Sequence, residues 1–285
     1  MSTLDHKIDF AVVLTVTKAN PNGDPLNGNR PRQNYDGYGE ISDVAIKRKI
    51  RNRLLDMGES IFVQSDDRKK DAYKSLRDRA DANPKLAKML KDKNASPENF
   101  AKIACEEWLD VRSFGQVFAF KGSQLSVGVR GPVSIHTATS IDPIDIVSTQ
   151  ITKSVNSVTG EKRSSDTMGM KHRVDFGVYV FKGSINTQLA EKTGFTNEDA
   201  KKIKQALITL FENDSSSARP DGSMEVRKVY WWEHSTKLGQ YSSAKVHRSL
   251  RIKSKTDVPK AFDDKNYVVE LSDLEGLSVE EIDGQ

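Results

Sequence analysis

Alternating apolar and polar positions near the start of the chain predict a β-strand over residues 8–18. Phe10, Val12, Leu14 and Val16 fall on one face of this segment. Gly, Pro, Asn and Asp then crowd residues 20–39, which predicts a long loop. Long ordered loops in compact domains tend to be functional, so this loop is a candidate site.

A helix is predicted from Ser42 or Asp43, either of which can cap it, to about Met57. Its apolar stripe is formed by Ile46, Ile50, Leu54 and Met57. Five cations fall within seven residues of this helix, and the only nearby acids are Asp43 and Asp56. We therefore expect most of these cations to lack an i,i+4 partner, and a bound polyanion would relieve their repulsion. One flank of the stripe carries Lys47, Arg48 and Arg51, and the other carries Lys49 and Arg53.

The rest of the chain alternates between helical and extended patterns. Residues 66–114 are densely charged and predict an insert of two to four short helices. Further strands are predicted over 125–136, with a break near Gly131-Pro132, and over 174–185, 224–233 and 267–271. A further helix is predicted over 197–212.

The predicted order β, α, β, β, α, β is the split βαβ plan of ferredoxin-like and RRM-like folds, within the α+β class. Two long excursions interrupt it. One is the helical insert, and the other is residues 137–173, which hold twelve Ser/Thr in 37 residues without a helical period. This fold supports many functions, so it does not by itself establish RNA binding.

The distribution of charge along the chain indicates what kind of partner it can bind. Net charge is only +4, but residues 225–260 hold nine Lys/Arg against three Asp/Glu, and residues 263–283 hold eight acids against one lysine. The basic body suits an anionic polymer, because each neutralised phosphate releases counterions. The acidic tail is expected to be solvated.

One cysteine, Cys105, excludes a disulfide framework and a cysteine-rich zinc site. The first residues lack the apolar core of a signal peptide, and no apolar run approaches the ~20 residues that span a bilayer. We therefore expect a soluble cytoplasmic protein with no membrane partner.

Candidate catalytic chemistry is sparse. Gly23 and Gly28 have P-loop spacing, but the required lysine and hydroxyl residue do not follow them, so no nucleotide site is predicted. His136 and His172 lie at the two ends of the 137–173 excursion. Acid–base cleavage of RNA would need both side chains close together where the excursion leaves the sheet. We interpret both as structural. Asp24 and Asp36 are interpreted as turn formers, and no metal or cofactor is expected.

Four sequence runs carry a family resemblance. They are Asn-Pro-Asn-Gly-Asp-Pro followed by Asn-Arg-Pro-Arg within 20–32, Ile-Ser-Asp-Val-Ala-Ile-Lys-Arg-Lys-Ile-Arg at 41–51, Asp-Val-Arg-Ser-Phe-Gly at 110–115 and Gly-Pro-Val-Ser-Ile at 131–135. Together they resemble the CRISPR RNA-binding backbone subunit of the Cascade complex, a RAMP-superfamily protein, and look closest to the type I-C subfamily. The resemblance covers essentially the whole chain.

The resemblance implies a non-catalytic scaffold whose copies polymerise head to tail along CRISPR RNA and present it for pairing with target DNA. The other implied partners are the Cascade subunit that processes the RNA and holds its 5′ end, the large subunit and the small subunit. The implied regions are an RRM-like palm (1–57, 123–136 and 174–262), helical fingers (58–122), a hairpin-like thumb (137–173) and an acidic C-terminal segment (263–285).

Candidate RNA-binding residues follow from the basic loop and helix together with the resemblance. Backbone groups, Arg side chains and hydroxyls grip phosphates and riboses without reading bases. In thumbs of the resembling family an apolar residue wedges between bases, and Met168 and Met170 fit that role. The candidates are Asn20, Asn22, Arg30, Arg32, Lys47, Arg48, Arg51, Thr139, Ser140, Lys153, Met168, Met170, Lys171 and Arg173.

Two alternative functions stay open at this point. Related type III backbone subunits cut bound RNA with a loop aspartate, and Asp24 sits in a comparable loop, so a metal-dependent endoribonuclease is the first alternative. A general single-strand-binding module is the second.

Overall fold

The structure is a computed structural model that describes residues 2–155, 159 and 168–285. The helices are α1 (Asp43–Asp56), α2 (Leu76–Asp81), α3 (Pro84–Met89), α4 (Pro97–Glu107), α5 (Leu109–Phe114), α6 (Thr187–Thr193), α7 (Asn197–Ile208) and α8 (Ser243–Ser249). The strands are β1 (Ile8–Ala19), β2 (Gly23–Asp24), β3 (Arg30–Pro31), β4 (Tyr38–Ile41), β5 (Gly115–Phe118), β6 (Val127–Arg130), β7 (Val133–Ile135), β8 (Ala138–Pro143), β9 (Ile146–Thr152), β10 (Met168–Ile185), β11 (Met224–Glu233), β12 (Leu250–Ser254), β13 (Tyr267–Leu271) and β14 (Val279–Asp283).

A large antiparallel sheet organises this mixed α/β fold. Its strands follow the order β14-β11-β1-β10-β8-β4, and β7 and β9 pair with other segments of β10. The predicted first strand is confirmed as β1, which pairs with β10 on one side and β11 on the other. Phe10 and Val12 face one apolar core while Ala11 and Val13 face another, so both faces of β1 are buried.

The helices α1 and α7 cover one face of the sheet. Ser42 caps α1 as predicted, and the stripe residues Ile46, Ile50 and Leu54 are buried against the sheet. The second predicted helix is confirmed as α7, which begins behind a capping box formed by Thr196 and its third helical residue. It ends four residues earlier than predicted, at Ile208.

The opposite face of the sheet is covered by α8 and the β12–β13 pair. Val246 of α8 and Tyr267 of β13 join Tyr230 and Trp232 in a second apolar core. The predicted strand over 267–271 is confirmed, whereas the sequence pattern did not predict α8 or β12.

The helical insert forms as predicted, with four short helices, α2 to α5, between residues 66 and 114. Its apolar residues build a separate core around Phe62, Phe100, Trp108 and Phe118. The rings of Phe62 and Trp108 lie 4.6 Å apart between centroids. This insert therefore has its own packing beside the main sheet.

The strand predicted over 125–136 is interrupted near Gly131-Pro132, as expected, but its two halves belong to different sheets. Its first half, β6, pairs with β5 in a separate two-stranded sheet, and only β7 joins the large sheet through β10. Gly131 lies at the break, where a Cβ would lie 2.3 Å from the backbone oxygen of Ser113, so the chain passes too close to α5 for a side chain. Pro132 has no backbone N–H, so it cannot donate the hydrogen bond that an uninterrupted β-strand would need at this position.

The acidic side chains at the end of the tail are exposed, as expected for a solvated segment, but the backbone there joins the large sheet, which was not predicted. β14 pairs with β11 from Trp232↔Val279 to Lys228↔Asp283 and forms one edge of the large sheet. Acidic side chains on an exposed edge strand discourage further strand pairing. Within the described part of the chain, none of the helices is long and apolar enough to cross a bilayer.

Candidate nucleic-acid interface

The loop of residues 20–39 is latched to the start of α1. The Asn22 side-chain oxygen accepts hydrogen bonds from the Ser42 backbone N–H (2.9 Å) and the Ser42 hydroxyl (3.0 Å). Asn20 is buried, and its side-chain amide donates to the Asn29 carbonyl at 2.7 Å. The two asparagines predicted to bind RNA thus hold the loop in place through intramolecular hydrogen bonds.

As predicted, only one of the five α1 cations, Lys47, has an i,i+4 partner. The inference that the other four are unpaired is wrong, because each forms an ion pair. The acids come mostly from distant parts of the chain rather than from α1. The pairs are Lys47 with Asp43 (3.0 Å), Arg48 with Asp67 (3.2 Å), Arg51 with Asp110 (2.9 Å), Arg53 with Glu212 (2.5 Å) and Lys49 with Asp214.

Arg51 joins α1 to the helical insert. Its partner Asp110 is fully buried, and the Asp110 carboxylate also accepts the backbone N–H groups of Phe62 (2.7 Å) and Val63 (3.1 Å). The Arg51 guanidinium lies 5.0 Å from the centroid of the Phe114 ring. These contacts assign Arg51 a structural role that its position on the helix flank did not reveal.

Lys49 and Arg53 lie on the packing side of α1. The Lys49 ammonium is 5.5 Å from the centroid of the Phe211 ring and pairs with Asp214, which Arg219 also approaches at 3.2 Å. Burial lowers the pKa of Lys49 to about 8, because desolvation outweighs the attraction of Asp214. Arg53 packs away from the other flank as predicted, whereas Lys49 lines one cavity together with Arg48.

Arg48 is the most exposed of the five cations, with 62% of its side chain accessible. It lines a polar cavity of about 200 Å³ between residues 21–23, α1 and the segment 214–219. Arg68 and Arg219 line the same cavity together with the hydroxyl residues Ser215 and Ser216, and the carboxylates of Asp67 and Asp214 line it as well. Sequence reasoning missed all of these residues, because each lies outside the basic run of α1.

The loop also contacts the hairpin formed by β9 and β10. The Arg30 guanidinium donates to the Ser148 hydroxyl at 3.0 Å, and Ser148 lies 2.8 Å from Nδ1 of His172. Arg32 is 3.6 Å from Asp24, whose carboxylate accepts the backbone N–H of Leu26 at 3.2 Å. Asp24 is therefore a turn former, as predicted.

The β9–β10 hairpin displays the two methionines. β9 pairs with β10 from Val174↔Ile146 to Met168↔Thr152, and the side chains of Met168 and Met170 are 63% and 54% exposed. Side chains alternate between the two faces of a strand, so Lys171 and Arg173 point away from the methionines. Lys153 is exposed just after β9, and residues 156–158 and 160–167 lie outside the described residues.

Thr139 and Ser140 lie on opposite faces of the sheet. Ser140 pairs with Tyr179 on the α1 side, is buried, and accepts the Gly39 N–H at 2.8 Å. Thr139 is exposed beside Val180 on the other face. The structure does not bring these two candidates together in one groove.

The two histidines that bracket residues 137–173, His136 and His172, do not meet. The His136 backbone N–H donates to the carbonyl of Lys182 in β10. His172 lies in the same strand but ten residues before Lys182, and ten residues of extended chain span roughly 30 Å. The His136 ring instead lies 5.5 Å from the His247 ring. Among the described residues, no group of three or more His, Cys, Asp or Glu side chains is arranged to hold a metal ion.

Comparisons with known proteins agree with one another. The model of the family described as CRISPR-associated protein Cas7 matches residues 6–272. A Haloferax volcanii protein described as CRISPR-associated protein Cas7 is 25% identical over 234 residues, covering 76% of this chain and 67% of that protein.

Solved structures that are similar to this chain include chains of two CRISPR complexes. A chain of a "CRISPR RNA-guided surveillance complex, pre-nicking" has a TM-score of 0.49 at 15% identity and covers 79% of this chain and 78% of its own. A chain of a "CRISPR RNA-guided surveillance complex" has a TM-score of 0.46 at 16% identity, with 79% and 68% covered.

Proposed function

Because this chain belongs to the family of the CRISPR-associated protein Cas7, we propose that it is a non-catalytic scaffold that binds CRISPR RNA and polymerises along it. One observation carries the proposal. The loop lies between the Arg48 cavity and the β9–β10 hairpin, and it contacts α1 through Asn22 and the hairpin through Arg30. A single-stranded polyanion that follows the loop meets cations at one end and exposed methionines at the other.

The chemistry of the Arg48 cavity supports contact with phosphates. Arginine and hydroxyl side chains bind phosphate oxygens without reading bases, and the cavity offers Arg48, Arg219, Ser215 and Ser216. A phosphate would have to replace Asp67 at Arg48 and Asp214 at Arg219, because both carboxylates line the cavity and pair with these arginines. A guide scaffold must accept any guide sequence and leave base edges free for pairing with target DNA. Phosphate contacts meet both requirements.

The hairpin supplies the second part of the proposed groove. Met168 and Met170 share one exposed face, where an apolar side chain can enter between two bases of single-stranded RNA. Lys153 and Lys171 are exposed on the same hairpin and are positioned to neutralise phosphates. We propose that this hairpin acts as the thumb.

The strand order supports a ferredoxin-like, RRM-like palm. The segment β11-β1-β10-β7 is antiparallel throughout, with α1 and α7 on one face, as the split βαβ plan requires. We infer that residues 58–122 are the fingers and that 137–173 are the thumb. The separate apolar core of the helical insert supports the first boundary. The motifs at 20–32 and 41–51 support the type I-C assignment.

The proposed scaffold works as part of an assembly. Copies of the chain associate head to tail, which requires two different patches on opposite sides of each copy. The further partners are the RNA-processing subunit at the 5′ end, the large subunit and the small subunit of a Cascade complex. We place this assembly in the cytoplasm, where target DNA would pair with the bound guide.

A metal-dependent endoribonuclease remains the alternative function. It would use Asp24, but this carboxylate caps a turn through Leu26 and faces Arg32. We expect no cleavage when the assembled protein is incubated with complementary RNA and Mg²⁺. Cleavage that disappears in Asp24→Ala would replace the scaffold proposal with the enzyme.

Charge reversal on the exposed surface tests the scaffold proposal. Arg48→Glu combined with Lys171→Glu should lower the RNA retained by the purified protein at least tenfold. The slope of log affinity against log salt concentration should become shallower by about one for each phosphate that is no longer neutralised. Lys201→Glu on α7 is the matched control, because its side chain is 72% exposed and lies away from the loop. Equal RNA retention by both proteins would contradict the proposal.

A further inference from the structure

A cavity of about 380 Å³ lies on the sheet face opposite α1, between β11, β13 and β14. Aromatic side chains line it, namely Tyr230 of β11, Tyr267 of β13 and Phe262 just before β13. The ring centroids of Phe262 and Tyr267 are 5.4 Å apart. The proposed RNA-binding groove uses none of these residues, so the cavity needs another explanation.

The rim of this cavity carries a net negative charge. Two cations, Arg227 and Lys228, are outnumbered by four carboxylates, which belong to Asp263, Asp264, Glu281 and Asp283. Both cations are already engaged, Arg227 with Glu225 at 2.6 Å and Lys228 with Asp283 at 3.0 Å.

Two of the four carboxylates are available to a ligand. Asp264 and Glu281 form no ion pair with any residue that the structure describes. Like charges repel one another, and the exposed carboxylates of Asp264 and Glu281 line the same cavity. A cation entering the cavity would relieve that repulsion.

Tyr230 contributes a hydroxyl group to the cavity. Its side chain is only 2% exposed, and its hydroxyl has no hydrogen-bond partner among the described residues although it lines the cavity. Burial raises the pKa of Tyr230 to about 12, and the charges of Glu281 and Asp283 act in the same direction. The hydroxyl thus sits at negative potential and can accept an N–H from a bound cation.

We propose that this cavity binds a lysine or arginine side chain presented by a partner protein. Aromatic faces attract ammonium and guanidinium groups, and carboxylates pair with them through charge-assisted hydrogen bonds. The volume is near the lower end for ligand pockets and accommodates one long cationic side chain. The same negative rim repels phosphates, so this surface is distinct from the RNA-binding groove and does not rest on it.

Short capped peptides test this assignment on the unmodified chain. The probes are acetyl-Gly-Arg-Gly-amide, its lysine analogue, and a citrulline analogue that keeps the shape of arginine without its charge. Binding is followed by NMR of ¹³C-labelled tyrosine, with the Tyr230 signal assigned from Tyr230→Phe. We expect saturable shifts at Tyr230 with both cationic peptides and at least tenfold weaker binding of the citrulline peptide.

Matched variants locate the binding surface. Asp264→Asn combined with Glu281→Gln should weaken binding of the arginine peptide at least tenfold, while RNA retention stays unchanged. Glu270→Gln is the control, because Glu270 lies on the other face of β13 and pairs with Lys253 at 3.1 Å. Equal binding of the arginine and citrulline peptides, or no shift at Tyr230 with either, would overturn the proposal. The peptide comparison needs no variant, so it holds even if the double variant does not fold.

Discussion

Replacing Arg51 by alanine separates the structural cation of α1 from the proposed RNA-binding cation. The Arg51 guanidinium lies 2.9 Å from the fully buried Asp110 carboxylate, which Arg51→Ala would leave without its cation. Removing one partner of a buried ion pair costs about 3–5 kcal/mol. Two backbone N–H groups continue to bind Asp110, so we expect the lower end, about 3 kcal/mol.

Arg48→Ala is the matched comparison on the same helix. Its side chain is 62% exposed and its ion pair with Asp67 is also exposed, so we expect a loss below about 1 kcal/mol. Urea unfolding followed by circular dichroism measures both values. With a slope of about 3 kcal/mol per molar urea, Arg51→Ala should lower the midpoint by about 1 M and Arg48→Ala by less than about 0.3 M.

RNA retention at low temperature completes this comparison. Arg48→Ala should lose bound RNA while remaining folded, and folded Arg51→Ala should keep it. An Arg51→Ala protein that unfolds at the wild-type midpoint and loses its RNA would refute this reasoning, because Arg51 would then act on the ligand rather than on the fold.

Three further variants probe the loop, the buried lysine and the hairpin. Gly39→Ala should lower the thermal unfolding temperature and the RNA content together, since its Cβ would lie 2.2 Å from the Tyr179 hydroxyl beneath the loop. Lys49 binds a proton more weakly in the folded chain (pKa about 8) than in the unfolded chain, so stability rises as the pH increases above 8. The unfolding free energy of the wild type relative to Lys49→Met should therefore increase by roughly 2 kcal/mol between pH 7.5 and 9.5, and a constant difference would exclude this titration. Replacing Met168 and Met170 together by alanine should leave the thermal unfolding temperature unchanged and reduce RNA retention, and an unfolding temperature that falls instead would assign them to packing.

Local signals explain which parts of the fold the sequence could predict. α1 has its capping residue Ser42 and its apolar stripe within a single segment, so both its start and its buried face were predictable. β1 and β11 were predictable for the same reason, because their alternation is continuous. β14 was missed, because its five residues include three acids and it is stabilised by pairing with β11.

The candidate site was less predictable, because its partners come from distant segments. The sequence of α1 shows five cations. It does not show that Asp110 and Asp214, from distant segments, form ion pairs with Arg51 and Lys49. Arg219 enters the cavity beside Arg48 from more than 160 residues away, which no local spacing indicates. Ion pairing and burial are set by tertiary packing, so a charge run alone overstated the number of free cations.

The nucleic acid bound to the protein tests the central claim most directly. The purified assembly should be extracted under denaturing conditions, treated separately with ribonuclease and deoxyribonuclease, and analysed for length on a gel. A guide-RNA scaffold predicts ribonuclease-sensitive molecules of one narrow length class. Deoxyribonuclease-sensitive material, a broad distribution of lengths, or no nucleic acid at all would contradict the account.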